Sequence, residues 1–96
     1  MYNSKITGLG YFVPENVVTN DDLSKKMETS DEWIQERTGI KERRHVVEGD
    51  GETTTGMGVK AAKIAIERAG IDKNDIDFII FATLSPDYYF PGPGVL

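Results

Sequence analysis

The sequence predicts a layered α/β fold, and three stretches carry that prediction. Asp77-Phe78-Ile79-Ile80-Phe81-Ala82-Thr83-Leu84 is a nearly continuous apolar run of strand length, the pattern of a central strand covered on both faces in a parallel sheet. Thr53 to Ala69 repeats Met57, Ala61, Ile64, Ala65 and Ala69 at helical spacing, and the small Ala stripe lets such a helix sit close on a sheet. Ile6 to Val13 reads as a further strand in which Gly8 and Gly10 leave one face without side chains, a sign of close approach by another backbone. Helix and strand patterns in alternation give the class.

In chain order, Pro14 ends the first strand. Val17-Val18-Thr19-Asn20 leads into a short helix, Asp21-Asp22-Leu23-Ser24-Lys25-Lys26-Met27, capped by Thr19 or Asn20, whose acidic start and basic finish suit the helix dipole. A second short helix follows. Ser30 is its N-cap candidate, Asp31 and Glu32 occupy the first turn, and Gly39 can take the left-handed conformation that ends it. Two turns are too few to persist alone, so the body of the protein must hold them. Ile40 to Val47 is a charged segment with imperfect alternation and reads as an exposed or edge strand. Residues 48–52 form a polar loop. Thr53 opens the long helix and Gly70 stops it, with Lys60, Lys63, Glu67 and Arg68 on the solvent side. Gly56 and Gly58 near its start cost about 1 kcal/mol each relative to Ala, which implies a packing need. Ile71 to Ile76 is a turn, and Ser85 to Phe90 is a loop at the carboxyl end of the apolar strand, where open α/β sheets bind ligands.

Ninety-six residues make at most one domain with a modest core. A formal net charge of −5 argues against nucleic-acid binding, which needs a basic footprint. No cysteine is present, so neither disulfides nor thiol chemistry arise within these residues. No signal-peptide pattern and no membrane-length apolar run occur, so the expected location is cytoplasmic with no membrane partner.

Trp33, the only tryptophan, and Arg37 are spaced i, i+4 and share one helix face. Two readings of the pair stand. In one, the indole stacks on a purine and the guanidinium reaches a phosphate or the other face of the base. In the other, the Trp packs into the core and the Arg pairs with a carboxylate. His45 stands isolated in a charged segment, no His/Cys/Asp cluster has ligand spacing, and no metal site is expected. Gly8-Leu9-Gly10 lacks the third glycine of a dinucleotide loop. No nucleophile, base and orienter come together, so no catalytic residue is assigned. Tyr88, Tyr89 and Phe90 suit a site rim or an interface.

Taken together, Gly8-Leu9-Gly10-Tyr11-Phe12-Val13-Pro14, the long motif from Thr29-Ser30-Asp31-Glu32-Trp33-Ile34 through Arg37-Thr38-Gly39-Ile40 to Glu42-Arg43, and Ala69-Gly70-Ile71 closely resemble the N-terminus of the beta-ketoacyl-acyl-carrier-protein synthase III family. The resemblance runs through essentially all of residues 1–96 and implies an incomplete N-terminal part of one thiolase-like domain, the strands and helices of its first βαβαβ half. It implies a parent acyltransferase that loads an acyl group from acyl-CoA onto a cysteine. The parent then condenses that group with malonyl carrier protein, releasing CO₂ and starting fatty acid synthesis. CoA enters as substrate, and no further cofactor is implied. By resemblance, Trp33 stacks on the CoA adenine, Arg37 lies on the opposite side of that base, and Thr29 lies near it. Phe90 matches a dimer-loop residue that reaches the partner subunit's acyl pocket, which implies a homodimer. The family's Cys-His-Asn set has no counterpart here, and His45 does not match its histidine. The alternatives are a condensing enzyme of a polyketide or long-chain head-to-head pathway, or a stand-alone binding module without chemistry.

Overall fold

The computed structural model describes residues 2–49 and 51–88. They fall into two units, one of residues 2–12 and 52–88 and one of residues 13–49 and 51. Phe90 lies outside the described residues.

The second unit holds strand β1 (Val17–Thr19), helix α1 (Asn20–Ser24), helix α2 (Asp31–Thr38) and strand β2 (Glu42–Arg44). β1 and β2 pair antiparallel, with Val17 opposite Arg44, Val18 opposite Arg43 and Thr19 opposite Glu42. The β-branched run 17–19 suits a strand, yet in sequence it reads only as a lead-in to the helix. β2 is the central part of the expected 40–47 strand. Of the two candidate caps for α1, Thr19 takes the role in a capping box. Its hydroxyl accepts from the Asp22 N–H at 3.2 Å, and the Asp22 carboxylate accepts from the Thr19 N–H at 2.9 Å. That pair of bonds holds the Asp22 carboxyl below its ordinary value of 3.8.

The first unit is built around helix α3 (Thr54–Ala69), capped by Thr53, whose hydroxyl accepts from the Gly56 N–H, and closed by Gly70 in the left-handed region. The glycine-bearing segment lies directly on this helix. A methyl group at Gly10 would stand 2.5 Å from the Ala61 carbonyl oxygen and 2.7 Å from the Ala65 nitrogen. One at Gly8 would collide with the Ala65 carbonyl oxygen and stand 2.8 Å from the Ala69 nitrogen. The Ala stripe and the two glycines are thus two sides of one close contact, and backbone atoms cannot step aside from it. Arg68 ties the same seam by donating to the Leu9 carbonyl at 3.1 Å. Lys60 lies 4.5 Å from the Phe12 ring centroid while pairing with Glu52. Gly58 makes room for the Phe81 ring, 2.7 Å from where a Cβ would stand. Past that ring, the loop after residue 84 docks on the start of α3. The Asp87 carboxylate accepts from the Thr54 and Thr55 N–H groups at 3.1 and 2.8 Å, and the Thr54 hydroxyl donates to the Ser85 carbonyl. A carboxylate there answers both the unpaired amides and the dipole.

The structure corrects two expected strands. Neither 6–13 nor 77–84 forms a ladder among the described residues. A strand exists only through hydrogen bonds to a neighbouring strand, and packing on α3 brings close contact without a ladder of backbone hydrogen bonds. Residues 73–75 add a 3-10 turn to the 71–76 connection. The expected apolar faces therefore stay open. Ile80 is 84% and Leu84 99% exposed, and no apolar side chain among the described residues is fully buried. No helix among the described residues is long and apolar enough to cross a membrane.

Gly10→Ala is expected to destabilise the chain by about 1–3 kcal/mol, the usual cost of forcing atoms into a filled space. Urea unfolding of wild type and variant measures it, and equal midpoints would contradict the close contact.

Candidate functional site

α2 carries the candidate site. The Ser30 hydroxyl accepts from the Trp33 N–H at 3.1 Å, and Gly39, at φ 73°, donates its N–H to the Gln35 carbonyl. Both ends predicted from sequence are therefore capped as expected. Thr38 adds a second tie at the C-terminal end, its hydroxyl donating to the Ile34 carbonyl and accepting from the Ile40 N–H.

One face of α2 points inward through Asp31, Ile34 and Gln35, which are half-buried; the other presents Glu32, Trp33, Glu36 and Arg37 to solvent. Trp33 is 53% exposed. Arg37 places its guanidinium carbon 5.3 Å from the indole centroid. That is within cation–π range, and at an exposed site such a contact contributes about 0.5–1 kcal/mol. The indole is open among the described residues, with the Arg37 guanidinium beside it. Thr29, half-buried, immediately precedes the Ser30 cap.

The inward face rests on Asn20. Among the described residues Asn20 alone is buried, at 1% exposure. Its side-chain amide donates to the Asp31 carboxylate and to the Ile40 carbonyl, both at 2.8 Å. Its side-chain oxygen accepts from Arg43 at 2.6 Å, while Arg43 also donates to the Val18 carbonyl. The Asn20 backbone N–H donates to the Lys41 carbonyl at 3.2 Å. One side chain thus links the first residue of α2, the first residue past its cap, and β2. Sequence reading offered Asn20 only as a cap. The available signal was a second polar residue directly after a better cap, with an arginine on the segment that returns past it.

Asp31 is held from both sides. Gln35 donates both contacts of its amide to the carboxylate, at 2.7 and 2.8 Å, and Asn20 donates the third. The Gln35 bonds, then the Asn20 bond, set the Asp31 carboxyl below its ordinary value of 3.8. Among the described residues no cluster of His, Cys, Asp or Glu could hold a metal ion, and no nucleophile faces a base.

No protein-family model matches the chain. A beta-ketoacyl-[acyl-carrier-protein] synthase III of Sulfurimonas denitrificans is 58% identical over 81 residues, covering 84% of this chain and 24% of that protein. One of Clostridium beijerinckii is 52% identical over all 96 residues and 29% of its own length. The chain matches the N-terminal portion of synthase III. It spans about a quarter of the length of the curated synthases it matches. The crystal structure of the synthase III from Aquifex aeolicus VF5 superposes with a TM-score of 0.86 at 48% identity, over 97% of this chain and 29% of that one. The priming beta-ketosynthase of the R1128 polyketide pathway gives a TM-score of 0.67 at 35% identity, over 85% and 26%. The fold is therefore a partial, thiolase-like α/β fold, and the α2 motif lies within the part shared with the synthase III enzymes.

Because the folded Asp31 is held below its unfolded value, its bonds to Gln35 and Asn20 contribute stability that is fully present above pH 3.8 and lost as pH falls through the folded value. The stability gap between wild type and Asp31→Asn is expected to be constant from neutral pH down to that point and to close below it. Urea unfolding across pH measures the gap, and one independent of pH would contradict the ionised network.

Proposed function

We propose that this chain is the N-terminal portion of a 3-oxoacyl-[acyl-carrier-protein] synthase III. The parent enzyme condenses a short acyl-CoA with malonyl carrier protein and so initiates fatty acid synthesis. The observation that carries the reading is similarity to synthase III enzymes along the whole chain, at 52% identity over 96 residues.

In this reading residues 1–96 are an incomplete part of one condensing-enzyme domain. The catalytic thiol and its base come from elsewhere in the parent, and this portion supplies the door for the nucleotide of acyl-CoA. Trp33 stacks on the adenine, Arg37 covers the other face of the base, and Thr29 lines the approach. The 53% exposure of the indole supports this role. The energies agree with it. Stacking a base on an aromatic ring contributes about 1–3 kcal/mol, against about 0.5–1 kcal/mol for an exposed cation–π contact. The incoming base can therefore displace the guanidinium from the indole. Arg37 then gives way to the base and settles on its far face. The cysteine sulfur then attacks the thioester carbon, the acyl–CoA bond breaks, and CoA leaves as its thiol. Malonyl decarboxylation delivers the electron pair that attacks this acyl carbon, and the cysteine thiolate leaves. Phe90 belongs, in this reading, to a dimer loop that reaches the acyl pocket of a second copy, in a homodimer working in the cytoplasm.

A polyketide priming synthase is the second reading, favoured by the likeness to the R1128 ketosynthase. It shares the acyl-CoA door and differs in its acyl preference.

The full-length protein is expected to release CO₂ and form 3-ketoacyl carrier protein from acyl-CoA and malonyl carrier protein. Trp33→Ala is expected to raise KM for acyl-CoA by on the order of tenfold, equivalent to about 1.4 kcal/mol of lost stacking. No turnover with any short acyl-CoA would overturn the reading.

A further inference from the structure

The Trp33–Arg37 face sits on a helix that cannot hold itself. Eight residues lie well below the length at which an isolated helix persists in water. The caps at Ser30 and Gly39 satisfy end groups but do not fix where the helix lies. What fixes its place is a link from both ends to one point. Asp31, at the start of α2, and Ile40, just past its end, each accept from the same Asn20 amide at 2.8 Å. Opposite them, Arg43 donates to the Asn20 oxygen at 2.6 Å and to the Val18 carbonyl at 3.2 Å, joining the point to the β1–β2 pair. Both side-chain donors of Asn20 are used and its oxygen has a partner, in the one fully buried position among the described residues.

We propose that Asn20 is a positioning residue for nucleotide recognition: by pinning both ends of α2 it sets the angle and depth at which Trp33 and Arg37 meet the adenine of an acyl-CoA. The inference rests on the acyl-CoA reading of the parent protein. Asn20 reaches no substrate itself and acts through Asp31 and Ile40.

The strengths of the contacts divide the labour. Bonds from Asn20 to the Asp31 carboxylate and from the Arg43 guanidinium to Asn20 each involve a charged partner, and such bonds are the stronger kind. The Arg37–indole contact is exposed and weak. A firm base under a soft lid is what a site needs to admit a flat ring and still orient it. Replacing Asn20 by Asp keeps volume and the Arg43 bond. It removes both donations and sets a second carboxylate against Asp31, so the base loosens while the lid residues stay unchanged. Asp31→Ala cuts one of the two ties from the other side.

The test compares acyl-CoA with the same acyl group on pantetheine, which lacks the nucleotide, in the full-length protein. In Asn20→Asp, kcat/KM for acyl-CoA relative to acyl-pantetheine is expected to fall on the order of tenfold, the worth of one charge-assisted bond, through a rise in KM for acyl-CoA. Asp31→Ala is expected to shift the ratio the same way by a smaller factor. A general loss of structure lowers both substrates together, so an unchanged ratio in both variants overturns the proposal. Trp33→Ala separates the two layers. If it lowers the ratio while the Asn20 and Asp31 variants do not, the positioning role fails and the nucleotide door stands. If Trp33→Ala also leaves the ratio unchanged, the nucleotide door fails and the positioning role falls with it.

Discussion

A two-turn helix in water is a transient object, and the candidate site depends on how α2 is kept in place. Burying an amide is costly unless each of its hydrogen bonds is made. Asn20 meets that condition with partners on α2, on the segment after it and on β2. The buried position thus ceases to be a liability and becomes the peg on which the unit hangs. β1, α1 and β2 surround that peg, and the surface that α2 turns outward is left for an aromatic ring and a cation.

The first unit solves a different problem by a different contact. Residues 8–10 meet α3 backbone to backbone, because glycine on one side and alanine on the other remove whatever would keep them apart, and Arg68 of α3 ties the seam at the Leu9 carbonyl. This seam is narrow and intolerant. The apolar segment 77–84, by contrast, is anchored through Phe81 at Gly58 and through the Asp87 loop at the start of α3, while Ile80 and Leu84 remain open to solvent.

Much of this was legible in the residues, and the failures have physical causes. The ends of α2 and α3 could be read because caps are local: Ser30, Gly39, Thr53 and Gly70 act on their own turn. The backbone contact could be read because alternating glycines have few other uses in an extended segment. The 6–13 and 77–84 segments have strand composition but no ladder among the described residues, since pairing is a property of two segments and composition of one. β1, three residues long, is decided by its pairing with β2 rather than by propensity. Asn20 was hidden for a related reason: next to Thr19 its side chain is a plausible cap, and only the return of Ile40 and Arg43 to the same place gives it another role. For the candidate site, the spacing of Trp33 and Arg37 gave the shared face, and the structure added the exposure of the indole that the spacing alone could not give.

The central claim is that the indole of Trp33 receives a flat base. The most direct measurement is the nuclear magnetic resonance of the Trp33 indole protons during titration with CoA, with pantetheine as the control. A stacked adenine shifts those protons upfield in a saturable manner that pantetheine does not reproduce, and that is the result expected. Indole resonances that stay in place at saturating CoA would contradict the claim.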